Sequence, residues 1–282
     1  MINSIIIQDS SVNNTIIAIF LIALLVMILY FGFKMIEMSY VMRYRKPLYN
    51  HIYLKLKKLN PKQQEILQTN FNFYVRLNQK QKKHFEHRVA CFIEDKTFIG
   101  RGGLEINDEI IVLISATAIM LTFGFRDFYI GLIDKIFVYP KAFYSQTNDD
   151  YHKGEFNPKL KALVLSWEDF KHGYQIGDDN LNLGIHEFAH AIHLNSIKER
   201  DVSSTIFKDS FKELATLLSN NKPLRDKLVE SRYFREYAYE NQFEFLAVLI
   251  EYFFETPLEF KNQFPNIYNK VKRMLNFNYA KY

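Results

Sequence analysis

The sequence is poor in cysteine, glycine, proline and long runs of one charge. Its one cysteine, Cys91, has no partner for an intramolecular disulfide, so a disulfide scaffold is excluded. It sits between Ala90 and Phe92 in an apolar helical pattern, where it reads as a small buried hydrophobe. Only 10 glycines and 7 prolines occur in 282 residues, against 26 Phe and 18 Tyr, which favours dense helical packing over loop-rich architecture. The formal charge of +5 is spread along the chain. Residues 55–58 and 80–83 are short basic runs without a helix-turn-helix pattern, so nothing makes a case for a nucleic-acid-binding regulator. With 48% apolar and 24% charged residues the chain is not disordered throughout, and it is long enough for one good-sized domain.

Residues 15–33 contain no charged side chain. At about 1.5 Å rise per residue a helix over that run is about 28 Å long, close to a hydrocarbon core, so one transmembrane helix is expected there, behind a short tail over residues 1–14. A cleaved signal peptide is not expected, because Asp9 is the only charge before Lys34 and the run ends in aromatic residues. Lys34, Arg43, Arg45 and Lys46 follow the span and no basic residue precedes it. The positive-inside rule then predicts a single-pass protein with its N-terminus outside and the rest in the cytoplasm. Residues 34–59 read as a basic juxtamembrane linker, with Tyr40, Tyr44 and Tyr49 suited to the interface and Pro47 closing the helix.

Over residues 60–282 helical and strand patterns interleave without a regular repeat, which predicts one α+β domain, predominantly helical. Asn60 and Pro61 open a helix through about Leu77, and a second begins after Asn78. Residues 97–99 form a short strand, and Gly100, Gly102 and Gly103 a plain turn, since a phosphate loop needs a longer glycine pattern. Residues 108–121 are an apolar core helix, 135–139 a strand ended by Pro140, and 160–167 another strand, whose edge could pair with an extended peptide. The polar segment 196–233 reads as a helical excursion.

The chemistry lies in His186-Glu187-Phe188-Ala189-His190, on a helix capped by Asn180 or Asn182 and ending near Asn195. His186 and His190, one turn apart on one face, can bind a single Zn²⁺. Glu187 is offset enough to hold a metal-bound water, whose pKa falls towards about 7, and to take its proton during attack on a peptide carbonyl. His193 shares the face, but the helix rise puts it about 10 Å along the axis from His186, too far to join the same ion. The third ligand must come from elsewhere. In the apolar helix 240–254, Glu244 and Glu251 share a face where an unpaired carboxylate would be costly, and a metal would satisfy one of them. Glu251 also has the plainer reading of a carboxylate paired with an arginine or a backbone group. Tyr237 lies seven residues before Glu244 and, were the stretch helical, could donate from the same face to a developing oxyanion.

Together these pieces resemble the Mlc titration factor (MtfA) type zinc peptidases. The likeness is carried by residues 103–109, 164–168, 186–190 and 243–254, within about residues 60–275. It implies a zincin-like, gluzincin-type peptidase domain over residues 60–282, with one Zn²⁺ per chain held by His186, His190 and Glu244, Glu187 as the base and Tyr237 beside the metal. It also implies aminopeptidase-like activity, an active-site layout related to the catalytic domain of anthrax lethal factor, and the glucose-responsive repressor Mlc as a family partner. This chain departs from the pattern at His193, where an acidic residue is common, and in its N-terminal span. The expected function is hydrolysis of peptide or protein substrates. The alternative is a non-catalytic or latent metal-binding module that holds a regulatory partner protein such as a repressor. Glu187 favours the enzyme, since a pure binder has no need of it.

Overall fold

The computed structural model describes residues 2–145 and 149–282, with side chains from residue 13 onward. The chain divides into two compact units, Met1–Leu48 and Tyr49–Tyr282. The first is helix α1 (Ile2–Tyr44). Its stretch Asn13–Tyr44 reaches a mean hydropathy of 3.0 with none of that apolar window buried, and is long enough to cross a membrane. The helix runs beyond residues 15–33 at both ends because no proline or glycine interrupts the flanking residues.

The second unit is predominantly helical around a small sheet. Asn60 and Gln63 form a capping box at the start of α2 (Pro61–Asn70). The helix expected to reach Leu77 instead breaks at Phe71 and resumes as α3 (Asn72–Val75). Phe71, Phe73 and Tyr74 are all buried, and one straight helix cannot turn all three onto a single narrow stripe. Asn78 and Gln81 repeat the capping box at α4 (Gln79–Asp95). Strand β1 (Thr97–Gly100) and the core helix α5 (Asp108–Thr122) lie where the pattern predicts.

Next come β2 (Lys135–Tyr139), β3 (Phe143–Ser145), β4 (Asp150–His152), β5 (Gly154–Asn157) and β6 (Ala162–Ser166). β3 and β4 form an antiparallel pair of their own. The main sheet has the order β1-β2-β6-β5, parallel except that β5 runs antiparallel to β6. This corrects one expectation. β6 lies between β2 and β5 and offers no free edge; the antiparallel edge strand is β5. Segment 143–157, polar and short of apolar alternation, gives little strand signal. Trp167, expected in the last strand, opens helix α6 (Trp167–Gln175) because Ser166 caps it, accepting from the Asp169 amide.

The metal-motif helix α7 (Leu183–Lys198) continues one turn past Asn195. The excursion is α8 (Val202–Asn220) and α9 (Lys222–Glu230). A 3-10 turn (Glu236–Tyr239), α10 (Gln242–Glu255), α11 (Pro257–Gln263) and α12 (Pro265–Met274) complete the chain. α7 packs between α5 and α10, and its first half faces β5.

Arg88 ties the start of this unit to the end of α5. The side chain is fully buried, and it donates to the Tyr53 hydroxyl and to the carbonyls of Asn50, Thr122, Phe123 and Phe125. The cation thus completes carbonyls that the helix C-terminus leaves open. Replacing it with methionine keeps the volume but strands those acceptors. Arg88→Met is expected to lower stability by about 3 kcal/mol, read by chemical denaturation; a loss below about 1 kcal/mol would contradict this role.

Candidate metal centre

Asn182 caps α7, accepting from the Ile185 amide at 3.0 Å, and this fixes the turn that carries the first histidine. Asn241 caps α10 in the same way, accepting from the Phe243 and Glu244 amides, so Glu244 sits in the first turn beside the positive helix end. The two helices bring three ligand atoms together. His186 Nε2 lies 2.9 Å from Glu244 Oε2 and 3.0 Å from His190 Nε2, and His190 Nε2 is 3.4 Å from Glu244 Oε2. Ligands about 2.05 Å from a tetrahedral Zn²⁺ stand about 3.3 Å apart, so the spacing of this donor set suits such an ion. Among the described residues these three form the group that could hold a metal. His193 is not among them.

Glu251, one percent exposed, stands behind His186. Its Oε1 is 2.6 Å from His186 Nδ1, and the Asn182 amide donates to Oε2 at 3.0 Å. Arg235 grips both oxygens, Nη2 to Oε1 at 2.7 Å and Nη1 to Oε2 at 2.9 Å. A carboxylate can only accept, so His186 carries its Nδ1 hydrogen and turns Nε2 towards Glu244 and His190. The plainer reading of Glu251, an arginine pair, therefore holds. The pair also orients His186.

Glu187 is buried at the floor of a cleft of about 410 Å³ whose walls include Tyr151, Lys153, Leu183 and Tyr237. Edge strand β5 passes directly over it. A Cβ built on Gly154 would lie 2.7 Å from both Cγ and Oε1 of Glu187, so only glycine lets the strand come this close. Burial raises the Glu187 pKa, with His186 and His190 opposing. Burial would also raise Glu244, but its hydrogen bonds to both histidines hold it well below the ordinary carboxylate range.

Tyr237 is close to the expected place, by a different route. It sits on the 3-10 turn before the Asn241 cap, not on a continuous helix with Glu244. Its ring centroid is 5.8 Å from that of His186, and it remains 41% exposed to the cleft. Burial and the neighbouring Glu244 carboxylate raise the phenol pKa, keeping it a hydrogen-bond donor. His193 turns away into an aromatic pocket, its ring 4.5 Å from Phe211 and 5.1 Å from Phe243. Burial and the charge of His190 lower its pKa to about 4. Arg235 and Gly154 were not found by reading the sequence. An arginine two residues before a tyrosine and a glycine in a polar segment carry no pattern of their own.

Residues 43–275 match the sequence model of the glucose-regulated metallo-peptidase M90 family. The chain belongs to this family. A relative, the uncharacterized protein slr2042 of Synechocystis sp., is 26% identical over 239 residues, covering 77% of this chain and 84% of the relative. Membership makes this M90 chain a metallopeptidase and implies a metal ion, for which the grouped His186, His190 and Glu244 are suitable donors.

Before an ion arrives, burial disfavours a charged His186, yet hydrogen bonds to Glu244 and Glu251 outweigh it and raise its pKa to about 9. The folded value is above the ordinary 6.5, so this proton stabilises the metal-free fold below about pH 6.5 and its contribution is lost as pH rises through about 9. Zn²⁺ needs the neutral ring. Calorimetric titration at pH 7.5 in buffers of different ionisation heat is expected to show about one proton released from His186 per ion, vanishing above about pH 10. Proton release independent of pH would contradict this.

Proposed function

We propose that this M90 chain is a membrane-anchored zinc peptidase in which His186, His190 and Glu244 hold the ion, Glu187 is the general base and Tyr237 stabilises the oxyanion. The observation that carries the reading is the meeting of His186, His190 and Glu244 at metal-ligand spacing beside a buried carboxylate that lies under an edge strand. Zn²⁺ held there would supply a Lewis acid that polarises a peptide carbonyl and acidifies water. Glu187, its carboxyl pKa raised by burial, takes the proton of the attacking water and hands it to the leaving amine. The Tyr237 phenol, open to the cleft, donates to the oxygen that becomes negative. An extended substrate pairs with the outer edge of β5, which presses no side chain on Glu187 at Gly154.

Aminopeptidase-like action needs a carboxylate free for the substrate's ammonium group. Glu251 is committed to Arg235, Asn182 and His186, so Glu240 or another carboxylate would serve; Glu240 is close enough to raise the Tyr237 pKa. On this reading residues 15–33 span the membrane, residues 60–282 form the peptidase domain, and the basic flank after the span keeps that domain in the cytoplasm. A repressor-type partner is carried over from the resemblance alone.

Hydrolysis of amino-acid and peptide reporters by the full chain in lipid nanodiscs tests the proposal. Zinc-dependent activity is expected to disappear with a chelator. Glu187→Gln should lose activity by a factor on the order of a thousand or more while binding one zinc. Glu244→Ala should lose zinc, and full stoichiometry in that variant would sink the ligand assignment. Tyr237→Phe should lower kcat by about a hundredfold. No hydrolysis despite bound zinc would favour the partner-binding module.

A separate arm uses Gly154→Ala, whose methyl group would meet the side chains of Glu187 and Leu183 without touching a donor atom. Activity should fall by roughly a hundredfold or more with zinc retained, a loss of positioning. Unchanged kcat would show that β5 does not govern the Glu187 carboxylate.

A further inference from the structure

The peptidase unit begins with a strap, residues 49–59, in which side chains alternate between inward and outward over residues 51–54. His51 and Tyr53 turn inward, whereas Ile52 is 70% exposed and Leu54 is fully exposed. The strap is pinned along its length. Asn50 Nδ2 donates to the Gly124 carbonyl at 3.1 Å, and the Lys57 amide donates to His87 Nδ1 at 2.9 Å. Between them His51 stacks on His84 at 4.9 Å, with Nε2 3.1 Å from the Tyr279 hydroxyl. Ile52 and Leu54 are thus held out by their inward neighbours, with Lys55, Lys57 and Lys58 following directly. Glu94 pairs with Lys57, and Lys55 and Lys58 are exposed.

We propose that Ile52 and Leu54, with Lys55 and Lys58 following them in the strap, dock into the interfacial layer of an anionic membrane leaflet. This rests on the reading of α1 as a membrane span. Leu54 lies ten residues beyond Tyr44, the end of α1, and so within about 36 Å of it along the chain. A leaflet is therefore within reach. Aliphatic side chains set among lysines suit that layer, since headgroup anions attract the ammonium groups while the acyl boundary accepts the apolar tips. On the reading of α1 as a span, that helix supplies one attachment to the membrane. A second contact limits how the cleft faces the membrane.

The test uses the full chain with Cys91→Ala, carrying an environment-sensitive fluorophore at Leu54→Cys, Ile52→Cys or Leu25→Cys, in nanodiscs containing nitroxide-labelled lipids. In discs with anionic lipid, the labels at positions 54 and 52 should shift to the blue and be quenched by headgroup nitroxides. The combination Lys55→Glu and Lys58→Glu should remove that quenching, because reversing two charges lowers the docked-to-undocked ratio on the order of a hundredfold or more. Labels at 54 and 52 that stay aqueous while the label at Leu25 is quenched by acyl-chain nitroxides would overturn docking and leave the span standing. That result would also leave the strap available to a protein partner. An unquenched label at Leu25 would overturn span and docking together. Quenching that ignores lipid charge and the lysine reversals would overturn the anionic surface proposed here.

Discussion

The meeting of His186, His190 and Glu244 depends on a carboxylate that is not one of the three. Burying the Glu251 charge would be prohibitive without partners. It is tolerated because a backbone amide, an imidazole and a bidentate guanidinium all converge on it. Those donors come from the cap of α7, from the first histidine of the motif and from the segment before α10, whereas Glu251 belongs to α10 itself. One anion therefore locks the approach of the two helices and the rotation of the His186 ring together. Glu244, two helical turns earlier on the same face, is delivered to His186 and His190 by the same lock.

Three carboxylates near one imidazole would repel one another if their surroundings were alike. They are not. Glu244 is drawn down by two histidines at a helix N-terminus, Glu251 is neutralised by Arg235, and Glu187 sits in a buried position that raises its pKa. On the proposed reading, different environments would give one residue type the roles of ligand, brace and base. What separates Glu187 from the other two is backbone. β5 covers it through a glycine, so solvent is displaced by main chain instead of by another charged side chain.

Much of this was legible in the residues themselves. Helical spacing put His186 and His190 on one face and excluded His193, and an apolar setting marked Glu244 and Glu251 as carboxylates needing partners. Capping asparagines gave the starts of α2 and α4. The sequence was less informative where tertiary contacts override local pattern. Phe71 breaks a helix to reach the core, and Trp167 leaves a strand because Ser166 caps α6. β5 could not be read because its stability comes from pairing with β6 and from the cleft beneath it, neither of which leaves apolar alternation in residues 154–157. Tyr237 reached the neighbourhood of His186 by a 3-10 turn and a cap, a path that seven-residue spacing on one helix does not describe.

The distance in sequence between the two halves of the centre has a thermodynamic consequence. His186 and Glu244 are separated by 58 residues, and closing a flexible loop of that length costs roughly 4 kcal/mol before any constant term. α8 and α9 fill the interval with packed helices, and α8 is fixed against α7 and α12, so the folded chain carries most of that ordering. The Glu251 cluster supplies the local closure. On the proposed reading, an ion arriving at the three residues would meet groups already brought within hydrogen-bonding distance of one another, and its binding free energy would go into affinity rather than assembly of the site. By this logic, substitutions that loosen α8 should weaken metal binding from a distance, through the entropy of closing the loop, while every donor atom remains in the chain.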